Sequence, residues 1–194
     1  MSAPALRHAR RLGGPAGNEI LTTATAAVLV VLLLAEGVTI LNVRGLLREH
    51  MFIGLMLIGP VALKLSSTGY RFTRYYTGSP PYRENGPPLT ALRVLAPVLV
   101  ATTVAVFATG VWLMALGHRS GAVLELHKIV FIVWGAMFGV HFLAYLPRLV
   151  RAARVRDAVP GGRARGLLVG ASVCAGVALA VGLLGPIAAW RRPA

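Results

Sequence analysis

The segment LHKIVFIVWGAMFGVHFLAY, residues 126–145, decides the fold, because it is an apolar run of about twenty residues, the length of a membrane-spanning helix. It carries two histidines, His127 and His141, fourteen positions apart. On an α-helix this is nearly four turns, so both imidazoles leave the same face, roughly 21 Å apart along the axis. The same face carries four aromatic residues, Phe131, Trp134, Phe138 and Tyr145. The segment therefore predicts a transmembrane helix with one histidine near each membrane surface.

Histidine is costly inside a membrane, and an intramembrane histidine that faces a helix bundle marks a candidate functional site. Two histidines at this spacing indicate axial ligands of two stacked haems, because imidazole ligates haem iron and facing helices of a bundle supply such ligands. The alternative is that each histidine hydrogen-bonds a neighbouring helix and the aromatic residues only pack.

The composition of the whole chain is typical of a small membrane protein. Of its 194 residues 56% are hydrophobic, and the mean hydropathy is +0.71. The formal charge of +14 lies almost entirely between the apolar runs, so it does not indicate nucleic-acid binding. The single cysteine, Cys174, allows no intramolecular disulfide and no Cys-based metal or iron–sulfur site. We predict an all-α integral membrane fold, a five-transmembrane-helix bundle with a haem-binding four-helix core and one extra C-terminal helix.

The chain divides into a basic N-terminal tail (1–18), a four-helix bundle (19–147), an Arg-rich link (148–165), a fifth transmembrane helix (166–190) and a C-terminal tail (191–194). Within the bundle the predicted spans are 19–41, 45–68, 90–116 and 126–147, and residues 69–89 form a polar loop. The Arg-rich link is typical of a cytoplasmic surface that attracts anionic lipid. In the fifth span, the pairs Gly166/Gly170 and Ser172/Gly176 predict close helix packing.

The second span carries His50, and Lys64 follows fourteen residues later, which repeats the spacing of His127 and His141. Gly54 lies about 40° from His50 on the helical wheel and leaves room for a planar ligand, although glycine also occurs at helix contacts without a ligand. Lys64 occupies the place where a second iron ligand is expected. A lysine near a helix end more commonly extends to the membrane surface.

The first span contains no histidine, and its one interior charge is Glu36. Two roles are open for this carboxylate. It pairs with Arg44 or Arg48, which is the expected role, or it takes part in proton uptake.

Five spans place the termini on opposite sides of the membrane, and the distribution of arginine decides which terminus is inside. With the N-terminus inside, inner segments hold thirteen arginines and outer segments five. We therefore expect a bacterial-type cytoplasmic membrane, with the N-terminus cytoplasmic and the C-terminus outside. The second and fourth spans then run in the same direction, with His50 and His127 at matching depth near the outer surface. Facing each other, they bind one haem iron from opposite sides, a ligation that suits electron transfer.

The second and fourth spans resemble those of the di-haem membrane-anchor cytochrome b family, the type found as the gamma subunit of respiratory formate dehydrogenases and membrane-bound hydrogenases. The resemblance covers residues 20–146 and rests on three histidines. It implies that His50 and His127 hold an outer haem b and that His141 ligates a second, inner haem. The family takes the other inner ligand from a histidine at the start of the first helix, where this chain has Asn18 and Glu19. One haem is therefore expected near the outer face, and a second stays open.

These patterns predict a b-type cytochrome subunit that transfers electrons between a partner redox protein, such as a dehydrogenase subunit, and quinone or another acceptor. The expected iron ligands are His50, His127 and His141, and Gly54, Trp134 and Lys64 are expected to contact the cofactor. No constellation for substrate chemistry is visible, so the chain is an electron-transfer subunit rather than a stand-alone catalyst. The alternative is a non-redox membrane protein, a transporter or assembly factor, whose histidines are structural or bind a metal ion. A ferric-reductase-like haem protein would require a flavin-binding partner.

Overall fold

The computed structural model of the chain describes residues 13–84, 86, 90–118, 120–154 and 159–190. Within these ranges every regular element is a helix. In chain order the helices are α1 (Gly14–Leu41), α2 (Leu47–Tyr76), α3 (Pro80–Arg83), α4 (Thr90–Leu116), α5 (Gly121–Arg154), α6 (Gly162–Gly182) and α7 (Leu184–Ala189). Five of them, α1, α2, α4, α5 and α6, contain segments long and apolar enough to cross a membrane. The predicted all-α bundle with five membrane-spanning helices is confirmed.

Helices α1, α2 and α5 extend beyond the apolar runs that predicted them. Helix α1 begins at Gly14 instead of residue 19, and α2 continues to Tyr76, into the segment predicted as a polar loop. Helix α5 continues past Pro147 to Arg154, into the Arg-rich link. Helical hydrogen bonds are local and do not require an apolar environment, so a helix need not stop at the edge of an apolar run. Helix α2 ends instead where the chain turns, at Gly78, which adopts a φ of +82°.

The fifth span differs from the predicted single helix over 166–190. Helix α6 ends at Gly182, and the short helix α7 follows from Leu184. Pro186 explains the interruption, because proline lacks the amide hydrogen and its ring would clash with the carbonyl of Gly182 in a continuous helix. The break redirects the end of the chain, so that Ile187 is buried with 1% of its surface exposed.

Four predicted segments lie wholly or partly outside the described residues. These are positions 1–12 of the N-terminal tail, positions 85 and 87–89 of the polar loop, positions 155–158 of the Arg-rich link and the C-terminal tail, 191–194.

The most extensive helix pairing joins α6 to α2, so the fifth span belongs to the core of the bundle. The pairing depends on two glycines. A Cβ at Gly59 would collide with the backbone carbonyl of Ser172, and a Cβ at Gly176 would collide with the backbone carbonyl of Met56. The predicted role of Ser172 and Gly176 in close helix packing is thereby confirmed. At Gly166 and Gly170, in contrast, an added Cβ would have no atom of a neighbouring described element within 4 Å, so among the described residues the predicted close packing is not found at this pair.

The bundle consists of two groups of helices. One group is α1, α2 and α6, and the other is the closely paired α4 and α5. A core cluster of Leu55, Met114, Ala180 and Ile187 joins the groups at one end of the bundle. The described backbones of α2 and α5 have no Cα atoms within 8 Å of each other. Space therefore remains between the two helices that carry the predicted haem ligands.

Candidate functional site

A cavity of about 500 Å³ lies between the two groups of helices. Its wall is mainly apolar and comes from α1, α2, α4, α5 and the loop between α1 and α2. It lies towards the end of the bundle where α1 joins α2 and α4 joins α5. Its volume is within the range of about 300–1,000 Å³ that is common for small-molecule and cofactor sites.

Four of the six residues predicted to contact a cofactor line this one cavity: His50, Gly54, His127 and Trp134. The first two come from α2 and the last two from α5. The structure thus brings together side chains that are more than seventy positions apart in the sequence. The sequence predicted that α2 and α5 run in the same direction and carry His50 and His127 at equal depth. This agrees with the observation that both side chains line the same cavity.

His50 is held by two side chains of α1. Its Nδ1 lies 2.8 Å from Oε1 of Glu36 and 3.1 Å from Oγ1 of Thr39. Because an ionised carboxylate accepts and does not donate, the neutral tautomer of His50 that fits this contact has its hydrogen on Nδ1 and its lone pair on Nε2. The expected ion pair of Glu36 with Arg44 or Arg48 is wrong: the helix packing places the carboxylate against His50 instead.

His127 is held by one side chain of α4. Its Nδ1 lies 2.8 Å from Oγ1 of Thr109, and that hydroxyl donates to the carbonyl of Ala105 over 2.7 Å. With its own hydrogen on this carbonyl, the hydroxyl oxygen is an acceptor for the tautomer of His127 that has its hydrogen on Nδ1 and its lone pair on Nε2. Gly110 lets the ring approach α4 closely, because a Cβ there would lie 3.3 Å from Cε1 of His127.

Trp134 is fixed in the wall by a hydrogen bond between helices, from its Nε1 to Oγ1 of Thr103 over 3.0 Å. It also stands in a ladder of stacked rings along α5. Its ring centroid is 5.9 Å from that of Phe131 and 5.0 Å from that of Phe138. The ladder continues to Phe142 over 5.8 Å, so the aromatic face runs from the cavity towards the other half of the helix.

The two remaining predicted residues, Lys64 and His141, are not among the residues that line the cavity. The ammonium group of Lys64 donates to the backbone carbonyl of Thr22 over 2.9 Å. The ring of His141 packs against that of Tyr145 with centroids 4.7 Å apart, and its buried Nδ1 has no hydrogen-bond partner among the described residues. Neither side chain therefore belongs to the site of His50 and His127.

Trp190 completes the cavity wall, although the sequence interpretation did not include it. It follows α7, and its Nε1 donates to the carbonyl of Met114 at the end of α4 over 3.1 Å. The sequence could have indicated this position, because a tryptophan at the end of an apolar run is typical of the membrane interface. Thr39, the second side chain that holds His50, was also missed. Its position three residues after Glu36, on the same helix face, could have indicated it.

The cavity also has two cationic side chains in its wall, Arg44 and Lys128. Lys128 forms an exposed ion pair of 2.7 Å with Glu125, one turn earlier in α5. Among the described residues, no group of three or more histidine, cysteine, aspartate or glutamate side chains has metal-binding geometry. The ionisable side chains that line the cavity are those of Glu36, Arg44, His50, His127 and Lys128.

A second, smaller cavity of about 270 Å³ lies at the opposite end of the bundle, between α1, α2, α3 and α6. Asn18, Ser67, Tyr82 and Arg165 are its buried polar residues. Burial, with a further contribution from Tyr70, raises the pKa of Tyr82 to about 12, so this phenol is neutral at physiological pH. None of the predicted ligands contributes to this cavity.

Comparison of the chain with protein-family models, with curated proteins and with solved structures finds no match.

Proposed function

We propose that this chain is a b-type cytochrome subunit of a membrane, in which His50 and His127 ligate one haem b. The observation that carries the proposal is the cavity of about 500 Å³ that both imidazoles line. Each ring has its Nδ1 held by a neighbouring helix. Histidines that ligate metals in proteins are held in this way, because a hydrogen bond at one nitrogen fixes the tautomer and the orientation of the other.

The residues around the cavity fit a haem in three respects. The donor set is two imidazoles whose Nδ1 atoms are engaged by neighbouring side chains, which leaves Nε2 as the nitrogen available to iron. The two helices that carry them are separated, as a ligand between facing imidazoles requires. The wall is mainly apolar and includes Gly54, where an added Cβ would meet Oε1 of Glu36 at 3.6 Å and no other atom of a neighbouring described helix within 4 Å.

The other residues of the cavity have distinct roles in this proposal. Arg44 and Lys128 would hold the two propionate carboxylates, because they are the arginine and lysine of its wall. Trp190 covers one end and, with the apolar side chains, excludes water. When bound, haem supplies one-electron chemistry, and two imidazole ligands leave no axial position for oxygen or a substrate. The site is therefore suited to electron transfer rather than to catalysis.

The physiological role that follows is electron exchange between a partner redox protein, such as a dehydrogenase subunit, and quinone or another acceptor. With the N-terminus in the cytoplasm, as the arginine distribution favours, the cavity lies near the outer surface of a bacterial-type cytoplasmic membrane. His141 lies outside the cavity, so we propose one haem for His50 and His127 and leave a second haem on His141 as a separate prediction.

The test is a dithionite-reduced minus oxidised absorption spectrum of the purified protein, with the haem content per chain measured as the pyridine haemochrome. We expect the spectrum of a low-spin b-type cytochrome. His50→Ala and His127→Ala should each lose this spectrum. His141→Ala is the matched control, because it removes an imidazole from the same helix outside the cavity, and it should retain one haem.

Two results would contradict the proposal. The first is a protein without haem after expression with ample haem supply, which would favour the non-redox alternative, a transporter or assembly factor. The second is haem that remains fully bound after both His50→Ala and His127→Ala, which would place the ligands elsewhere.

A further inference from the structure

Among the described residues, Glu36 is the one carboxylate in the wall of the cavity, and its side chain is only 12% exposed. Its Oε1 lies 2.8 Å from Nδ1 of His50, and its Oε2 lies 3.3 Å from the hydroxyl oxygen of Thr39, which is the donor of that contact. A carboxylate inside a membrane span is costly, so a specific role for it is expected. Its short contact with His50 shows where that role lies.

We infer that Glu36 is a positioning residue of the proposed haem site, which fixes His50 and lowers the redox potential of the bound haem. The inference rests on the proposed function. A carboxylate that accepts the Nδ1 hydrogen of a ligating imidazole fixes the ring and raises the basicity of Nε2. A more basic ligand and a nearby negative charge both stabilise ferric iron more than ferrous iron, since the ferric form carries one more positive charge. The result is a lower midpoint potential.

The two imidazoles of the site are held unequally, which makes the inference specific to Glu36. His50 faces a carboxylate, whereas His127 faces the neutral hydroxyl of Thr109. A hydrogen bond to a charged group is roughly twice as strong as one between neutral groups. In an apolar cavity the charge of Glu36 is also screened less than it would be in water. Removal of Glu36 should therefore change the potential more than removal of the Thr109 hydroxyl does.

Other charged groups around the cavity do not replace Glu36. Arg44, in the loop between α1 and α2, and Lys128, on α5, also line it, but they are cations and act on the potential in the opposite direction. Lys128 is moreover paired with Glu125 on its own helix. Glu36 is thus the source of negative charge in direct contact with a ligand of the proposed haem.

The test compares Glu36→Gln with Thr109→Val in an equilibrium redox titration of the full-length protein at one fixed pH. Glutamine keeps the size and an acceptor oxygen but removes the charge. We expect Glu36→Gln to raise the midpoint potential by an amount equivalent to about a ten-fold change in the ferric-to-ferrous ratio, or about 59 mV for one electron. Thr109→Val should shift it clearly less. The rate of haem transfer to apomyoglobin should rise about 10- to 100-fold in Glu36→Gln, the usual effect of losing such a partner on metal affinity.

An unchanged potential in Glu36→Gln, or a shift no larger than that of Thr109→Val, would overturn the inference while the haem proposal stands. Absence of haem from the wild-type protein would overturn the proposed function instead. If Glu36→Gln retains no haem, its midpoint potential is not measurable, and the haem content of Glu36→Asp is compared with it instead, because aspartate keeps the negative charge. Retention of haem by Glu36→Asp supports the role of the charge, and equal loss of haem in both variants overturns it.

Discussion

Replacement of Gly176 by alanine should destabilise the bundle through the contact between α6 and α2. An alanine Cβ at this position would lie 2.9 Å from the carbonyl carbon of Met56 and 3.2 Å from its Cα, with the carbonyl oxygen closer still. These are backbone atoms of a helix and cannot rotate away, so the two helices must move apart. Such overpacking typically costs about 1–3 kcal/mol.

The position of Gly176 allows this cost to be separated from the helix propensity of alanine. Alanine is favoured over glycine inside a helix by about 0.8–1.0 kcal/mol, which offsets part of the overpacking. Gly170 lies on the same helix, and a Cβ added there would have no atom of a neighbouring described element within 4 Å. Gly170→Ala therefore gains the helix propensity of alanine without the clash. The difference in unfolding free energy between the two variants then measures the cost of overpacking alone.

The measurement is thermal unfolding of both variants in the same detergent, followed by circular dichroism. For a chain of this size, each kcal/mol corresponds to about 2–4 °C in the melting temperature. Gly176→Ala should melt about 2–12 °C below Gly170→Ala, from the 1–3 kcal/mol of overpacking. Equal melting temperatures, or a more stable Gly176→Ala, would refute the close packing of α6 on α2.

Three further predictions follow from the cavity and the charge distribution. Trp190→Phe keeps an aromatic ring but loses the hydrogen bond of 3.1 Å to the carbonyl of Met114, so haem transfer to apomyoglobin should become several-fold faster. An unchanged transfer rate would contradict the role of Trp190 in covering the haem. Lys64→Met should keep the wild-type haem content in a pyridine haemochrome assay, because the ammonium group of Lys64 bonds to Thr22 and does not line the cavity. A lower haem content would assign Lys64 to a haem site. Thirteen inner arginines against five outer ones favour a cytoplasmic N-terminus and a C-terminus outside. Alkaline phosphatase fused to the C-terminus should therefore be active, and green fluorescent protein fused at the same place should not fluoresce. The reverse pattern would contradict this topology.

The number and approximate position of the spans could be predicted from the sequence because hydrophobic length is a local property. A run of about twenty apolar residues has few alternatives to a transmembrane helix, and each run in this chain forms one. The helix ends were less predictable. Helix α2 continues through polar residues to Tyr76, since helical hydrogen bonds persist outside the apolar region.

The residues of the candidate site were partly predictable for a similar reason. His50 and His127 could be paired because two parallel helices carry them at equal depth, and the positions of Gly54 and Trp134 follow from helical periodicity. Lys64 has the same spacing from His50 as His141 has from His127, yet it bonds to α1. Periodicity gives the face of one helix but does not say which neighbour that face meets.

The sequence by itself determined that this chain is a bundle of membrane-spanning helices and which helix faces carry histidine. Only the tertiary structure decided that Glu36 holds His50 instead of pairing with Arg44 or Arg48, that Thr109 holds His127, and that Trp190 returns to cover the cavity. The physical reason is the range of the interactions. Helix formation and membrane insertion depend on neighbours within a few turns, whereas each of these contacts joins different helices and depends on how the whole bundle packs.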